Sequence, residues 1–266
     1  MTSVRSGAFR ALYAGNARSV ISRGLLATRS TNYLVVLSGF FEPIFFLLSL
    51  GIGLGSIVGT VSAGGQEIPY AAYIAPALLA VSAMNGAVYD STWNVFFKMN
   101  YSKLYQGMLS TSLGPLDVAF GEILLALLRG ALYAAGFMVV MQVFGLNLAW
   151  TAILALPAIL IIAFGFASLG MAVTSYMKTF QQMDWINFVL LPMFLFSATF
   201  YPLSVYPQWI QWIIQALPLW HGVELVRGLT TGILGPVMFV HLLYFAVMIA
   251  LGLVFTTKRL RALFLD

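Results

Sequence analysis

Ionisable groups stranded in apolar sequence are where this chain would do chemistry, because each is costly in a bilayer unless paired or put to use. Glu42, Glu122 and Arg129 lie in such stretches. Further on, His221, Glu224 and Arg227 follow one another at intervals of three, just after Pro218. On a helix they form a small polar cluster. A catalytic dyad is one use of that cluster; hydrogen bonding to backbone freed by the proline is the favoured one, since freed carbonyls at membrane depth must be satisfied. Other chemistries are excluded more firmly. With no cysteine and only His221 and His241 as imidazoles, thiol nucleophiles, disulfides, redox chemistry and zinc have no basis. A phosphate-binding loop of the form G-x-x-x-x-G-K-[ST] needs a glycine before its lysine, and none of Lys98, Lys103, Lys178 and Lys258 has one. Gly51, Gly53 and Gly55 sit inside an apolar run and lack the strand-turn-helix setting of a dinucleotide fingerprint. No catalytic residue and no metal ligand is expected.

The elements that must hold these residues are membrane helices. Of 266 residues, 61% are hydrophobic and 8% charged, against roughly 25% charged in a soluble domain. Six runs approach the roughly 20 residues needed to span: Leu34 to Val58, Tyr70 to Tyr89, Gly121 to Phe144, Leu148 to Met177, Trp185 to Tyr201 and Pro236 to Phe255. The fold expected is all-α and polytopic, with both termini on one side. Arg5, Arg10, Arg18, Arg23 and Arg29 precede the first run, Lys98 and Lys103 follow the second, Lys178 the fourth, and Lys258, Arg259 and Arg261 the sixth. The positive-inside rule makes that side cytoplasmic. The net charge of +5 is then topology, and no nucleic-acid partner is implied.

Three segments organise the chain: a basic stretch 1–32, a six-helix domain 33–257 and a basic tail 258–266. The first contains no secretory-type apolar core, so it is expected to be retained. Phe9, Leu12, Tyr13 and Val20 share a helical face away from Arg10 and Arg18, which suits an interfacial helix; a disordered basic tail is the alternative. In the first and third runs, Glu42 and Arg129 each lie eight residues from the cytoplasmic start, a depth of roughly 12 Å at about 1.5 Å per residue. A Glu42–Arg129 ion pair is therefore expected, with snorkelling of Arg129, or its pairing with Glu122, as the alternatives. Gly51, Gly55 and Gly59 repeat at the spacing of close helix packing, within the chain or between copies. From Phe194 to Arg227 the sequence is apolar, broken by Pro202, Pro207 and Pro218 and studded with Trp209, Trp212 and Trp220. That pattern fits a re-entrant element over 202–227 between the fifth and sixth spans.

Glu42-Pro43 with IFFLLSLGIGLG, then YIAPALLAVSAM, YQGMLSTSLGPLDVAFGE, FSATFYPLSVYP and PLWHGVELVRG resemble, in order, the membrane subunits of type-2 ABC exporters. The nearest branch is the permeases of nodulation lipo-oligosaccharides, with related drug exporters. The resemblance implies a half-transporter in the bacterial plasma membrane. A second copy and two ABC ATPase subunits would be its partners, with membrane lipid around it, and ATP and Mg would sit on the ATPase. The 98–113 loop would then couple to the ATPase through Tyr105, Gln106, Met108, Leu109 and Leu113; Gln106 and Ser112 stand where the family often has glutamate and proline. Phe200, Tyr201 and Pro202 would lie near the outer gate, with His221, Glu224 and Arg227 in the re-entrant plug. A path for amphiphiles is expected along Met84, Asn85 and Tyr89 facing Phe194, Phe196 and Phe200. The competing classes are a proton-coupled carrier using Glu42, Asp90 or Asp184, which would need two homologous halves, and a membrane enzyme acting on lipid, for which the scattered acids form no cluster.

Overall fold

A computed structural model of the chain describes residues 15–29, 41 and 43–264. Glu42, the 34–40 part of the expected first span, and Phe9, Leu12 and Tyr13 of the basic segment lie outside them. In chain order the elements are α1 (Ala17–Arg29), α2 (Pro43–Val58), a hairpin of β1 (Thr60–Ala63) and β2 (Gln66–Pro69), α3 (Tyr70–Tyr101), α4 (Leu104–Leu109) and α5 (Pro115–Val143). Then come α6 (Trp150–Thr174), α7 (Asp184–Phe196), α8 (Gln208–Ala216), α9 (Pro218–Thr231) and α10 (Val237–Phe264). The protein is a polytopic, predominantly helical membrane protein. Among the described residues, four helices are long and apolar enough to cross a bilayer: α3, α5, α6 and α10.

Helix α3 is the centre. Seventeen of the twenty residues from Tyr70 to Tyr89 are buried, as expected of a helix that is apolar on every face. Its alanines and glycines let neighbours come close. A Cβ on Gly86 would stand 3.0 Å from the Gly130 Cα of α5, and one on Gly130 would stand 3.0 Å from the Ala83 carbonyl oxygen. On the far side, Gly252 of α10 is pressed so closely on α6 that a Cβ would reach 2.5 Å from the Ser168 carbonyl carbon. Where lipid supplies no hydrophobic drive between helices, such small-residue contacts supply the packing.

Helix boundaries depart from the hydropathy reading in three places. The polar run Asp90–Asn94 ends the apolar stretch in sequence, yet α3 continues through it and on to Tyr101 by way of two π-helical stretches, Asp90–Asn94 and Phe97–Tyr101. Helix α7 stops at Phe196, because Ala198 adopts a left-handed backbone at φ 54° and 197–202 is irregular. The third departure is the hairpin, a strand pair inside a chain expected to be all-α. Its register sets Thr60 opposite Pro69 and Ala63 opposite Gln66. The turn is Gly64-Gly65, at φ 58° and 81°, the positive values that a two-residue hairpin of type I′ requires.

The glycine repeat divides by role. Gly51 is buried, and a Cβ there would stand 3.5 Å from Ala71 Cβ; one on Gly55 would stand 3.8 Å from the Tyr70 ring. Both therefore pack within the chain, against the start of α3. Gly59 makes no such contact and at φ 73° ends α2. If the α3–α5 crossing is as tight as this, Gly86→Val lowers stability by about 1–3 kcal/mol, the usual cost of overpacking. Gly53→Ala, which meets nothing within 4 Å, shifts it by less than about 0.5 kcal/mol. Unfolding midpoints in detergent micelles check the pair.

Candidate functional site

Three polar clusters and one open groove are spaced along α3. At the end where the basic residues gather, the Glu122 side chain on α5 is only 2% exposed and is bonded by two cations. Arg23 Nη2 of α1 lies 3.3 Å from Oε1, and Lys98 Nζ at the end of α3 pairs with Oε2. One turn earlier, Asp117 is fully buried and accepts the backbone N–H of Asn16 and of Gly114, each at 2.9 Å. Those bonds cap α5 and fix the entry to α1. Val20 fits into the gap left by Gly121, where a Cβ would come within 2.6 Å of it.

Helix α4 rests beside this clamp. Tyr105 is fully buried, and Met108 and Leu109 are nearly so; Leu113 packs partly against the same core. Burial holds the Tyr105 phenol well above its ordinary pKa, and the Glu122 charge pushes the same way. Its hydroxyl has no hydrogen-bond partner among the described residues. Outward face Lys103, Gln106, Gly107, Ser110 and Thr111. Of the expected coupling residues, then, Gln106 alone is exposed, while the apolar four seat the helix on its own bundle.

Midway along, Arg129 Nη1 of α5 lies 2.9 Å from Asp90 Oδ1 of α3, and Asn94 Nδ2 donates to the same carboxylate oxygen. Arg129 thus has a partner other than the expected Glu42, which lies outside the described residues, and Glu122 is occupied elsewhere. The reason is the extra length of α3. Asp90 was assigned to the end of a span, whereas the helix continues past it and aims its carboxylate at α5.

At the opposite end, Arg227 of α9 is buried and bonded on every side. It pairs with Glu224, donates from Nη2 to the Ala198 carbonyl at 2.8 Å and from Nε to the Tyr73 carbonyl at 3.3 Å, and lies 3.9 Å over the Tyr73 ring. Tyr73 donates its hydroxyl to the same Ala198 carbonyl at 3.2 Å. A left-handed alanine is strained, and these bonds hold it. His221 does not join Glu224 and Arg227 in one cluster. Six residues at about 100° each turn it about 120° from Arg227, toward α10, where its Nδ1 meets His241 Nδ1 at 2.7 Å and its ring stacks on Tyr244 at 4.0 Å. At that separation one ring nitrogen donates and the other accepts. Phe200 packs edge-on to Phe194 at 5.2 Å, Tyr201 is exposed, and Pro202 borders a cavity with Glu224 and Arg227.

Between α3 and α7 runs an open groove of about 490 Å³. Met84, Asn85, Tyr89 and Phe194 line it together, with Trp93 and Asn187 completing the wall. Phe196 faces away and meets Tyr206, ring centroids 6.4 Å apart.

Compared with known families, residues 16–231 match the ABC-2 type transporter membrane family. The chain belongs to that family. Among its relatives, "Nodulation protein J" of Rhizobium leguminosarum bv. viciae is 32% identical over 219 residues, covering 82% of this chain and 83% of the relative. The protein of that name from Sinorhizobium fredii (strain NBRC 101917 / NGR234) is 32% identical, covering 79% of each. That from Azorhizobium caulinodans is 26% identical, covering 87% and 91%. The chain is thus an ABC-2 permease similar to nodulation protein J, a transport component and a multi-pass bacterial membrane protein.

Three features of this ABC-2 subunit escaped the sequence reading. Arg23 and Lys98 were used as topology markers, although each is a ligand of Glu122. Asp90 was named only as a proton site for a rival reading, and His241 was counted without a partner. The available signal was complementarity: a buried acid demands a base, and each of these was close to the correct level of the bundle.

Two outcomes follow. Because its hydroxyl is unpartnered, Tyr105→Phe leaves stability unchanged or raised, while Tyr105→Ala lowers it by about 3–5 kcal/mol; thermal unfolding in nanodiscs measures both. Asp90→Arg and Arg129→Asp each destabilise the protein, and the double reversal recovers a coupling of about 1–3 kcal/mol. A double-mutant cycle without recovery contradicts the pair.

Proposed function

We propose that this chain is the membrane half of an ATP-driven exporter. Two copies pair in the bilayer, and separate ATPase chains dock at the cytoplasmic, basic end, carrying the ATP and Mg2+. The observation that carries this reading is α4: its apolar residues are sunk into the bundle beside the Glu122 clamp, leaving a short strip of Lys103, Gln106, Gly107, Ser110 and Thr111 on the surface. A helix fixed from below by packing and charge transmits force from whatever seats on its outer strip, and an ATPase groove suits such a helix.

Six spans with cytoplasmic termini account for the remaining helices. Helix α2 belongs to the first, and the 3-10 turn Phe180–Met183 with α7 supplies the fifth. Their seventeen residues, four plus thirteen, rise only about 25 Å against a core of about 30 Å. A fifth span that ends short, followed by the broken pair α8 and α9, supports a re-entrant element on the outer side. The exposed Trp209 and Trp212 of α8 suit the outer interface.

The substrate is an amphiphile, a lipid-linked saccharide or glycolipid or else a hydrophobic drug, entering by the groove between α3 and α7. Its aromatic and aliphatic wall with Asn85 and Asn187 accepts an acyl chain and polar groups together. The resemblance to lipo-oligosaccharide permeases favours the first of these. The test is co-expression with candidate ABC ATPase subunits from the same genome and reconstitution in lipid. The expected result is a co-purifying complex whose ATP hydrolysis is coupled to amphiphile export, with Gln106→Trp and Ser110→Trp, on the exposed strip, weakening the complex. A chain that purifies alone and moves amphiphiles under a proton gradient without ATP defeats the proposal and promotes the carrier reading.

A further inference from the structure

At the end of the bundle remote from α4, a cavity of about 440 Å³ lies among the hairpin, the segment after Pro202, α9 and the start of α10. Its volume falls within the roughly 300–1,000 Å³ of small-molecule sites. Three properties of its wall restrict the occupant. Among the described residues, the charged ones lining it are Glu224 and Arg227, and these are paired with each other, so neither a cation nor an anion finds an uncompensated counter-charge. Its polar groups suit hydroxyls: the Glu224 carboxylate, 35% exposed, with Ser62, Tyr73, Thr231 and His241, while Ser204 stands at the exposed rim. Trp220 adds a flat ring to the wall.

A second groove, of about 560 Å³, shares Leu234, Gly235 and Met238 with this cavity. The rest of its wall is apolar, with Leu154, Ile161, Leu225, Phe239 and others, and among the described residues no charged one lines it. A neutral hydroxyl-bearing chamber and an aliphatic groove thus meet across one short segment, the arrangement that a single amphiphile spanning both would need.

From this juxtaposition we infer that the outer end holds an exit subsite for a neutral glycolipid, its saccharide in the Trp220–Glu224 cavity and its acyl chain in the adjoining groove. The inference deepens the exporter reading and rests on it for its biological sense, yet its test needs no ATPase. The chain has no cysteine, so Ser204→Cys, at an exposed rim position, introduces a single thiol. The full chain is placed in phosphatidylcholine nanodiscs, and the rate of labelling by a polar maleimide is followed with monoglucosyldiacylglycerol, diacylglycerol of the same chains, or phosphatidylglycerol added. Labelling is expected to slow about fivefold with the glucolipid, as for a site about four-fifths occupied, and to stay unchanged with the other two. Ser62→Trp, which fills the cavity from its exposed rim, should abolish the protection. No slowing by the glucolipid, equal slowing by diacylglycerol or phosphatidylglycerol, or protection that survives Ser62→Trp overturns the inference. Protection here, combined with no ATPase coupling to the chain in the reconstitution test above, sinks the exporter reading alone; coupled hydrolysis there without protection here sinks this inference alone.

Discussion

A carboxylate removed from water must keep a counter-charge, and the basic end of this protein is organised by that demand at Glu122. Its two oxygens hold Arg23 of α1 and Lys98 of α3, so one buried acid joins three elements that sequence separates widely. Removing it would leave the half-exposed Arg23 and Lys98 without the partner they share. Asp117 adds the cap and the anchor for Asn16. The seat of α4 beside this clamp, with Tyr105 sealed inside, follows from the same arrangement.

Helix α3 carries the constraint through the membrane. Its Tyr73 is bonded to Arg227 at one end, its Asp90 to Arg129 midway and its Lys98 to Glu122 at the other. A span of twenty-five residues covers about 38 Å at about 1.5 Å per residue. The second and third attachments lie within the two π-helical stretches, Asp90–Asn94 and Phe97–Tyr101, where polar residues interrupt the run of alanines and leucines. Such stretches are frequent at functional sites, and these two carry the Asp90–Arg129 and Lys98–Glu122 pairs, the second of them beside α4.

The remote end meets a different demand. There the backbone is broken at 197–202 and again at Leu217, and buried carbonyls freed from a helix need other donors. Arg227 is suited to this because a guanidinium offers several N–H groups in a fixed fork, and it uses them on Glu224, Ala198 and Tyr73. The same saturation leaves the adjoining cavity electrically neutral, which ties its selectivity to the way the irregular backbone is held.

Much of this was legible in the residues. Apolar runs mark the helices, the absent phosphate-binding glycine rules out an ATPase of that kind within the chain, and prolines with tryptophans mark the broken element. Of the expected path, Met84, Asn85, Tyr89 and Phe194 share a groove, whereas Phe196 and Phe200 do not line it. Composition and short-range spacing carry such information because helices are local objects. The Gly64-Gly65 hairpin was also local, but its strands are four residues each and were overshadowed by the long apolar runs. Which charge meets which is not a local matter. Arg129 joined Asp90 because α3 outlasts its apolar stretch, His221 turned to His241 because a three-residue step drifts around a helix, and Tyr105 sank inward because α4 lies against its own bundle. Sequence alone determined that these groups need partners, since bilayer and core make unpaired polar groups costly; only the tertiary structure, by setting each helix's length, rotation and neighbours, decided what those partners are.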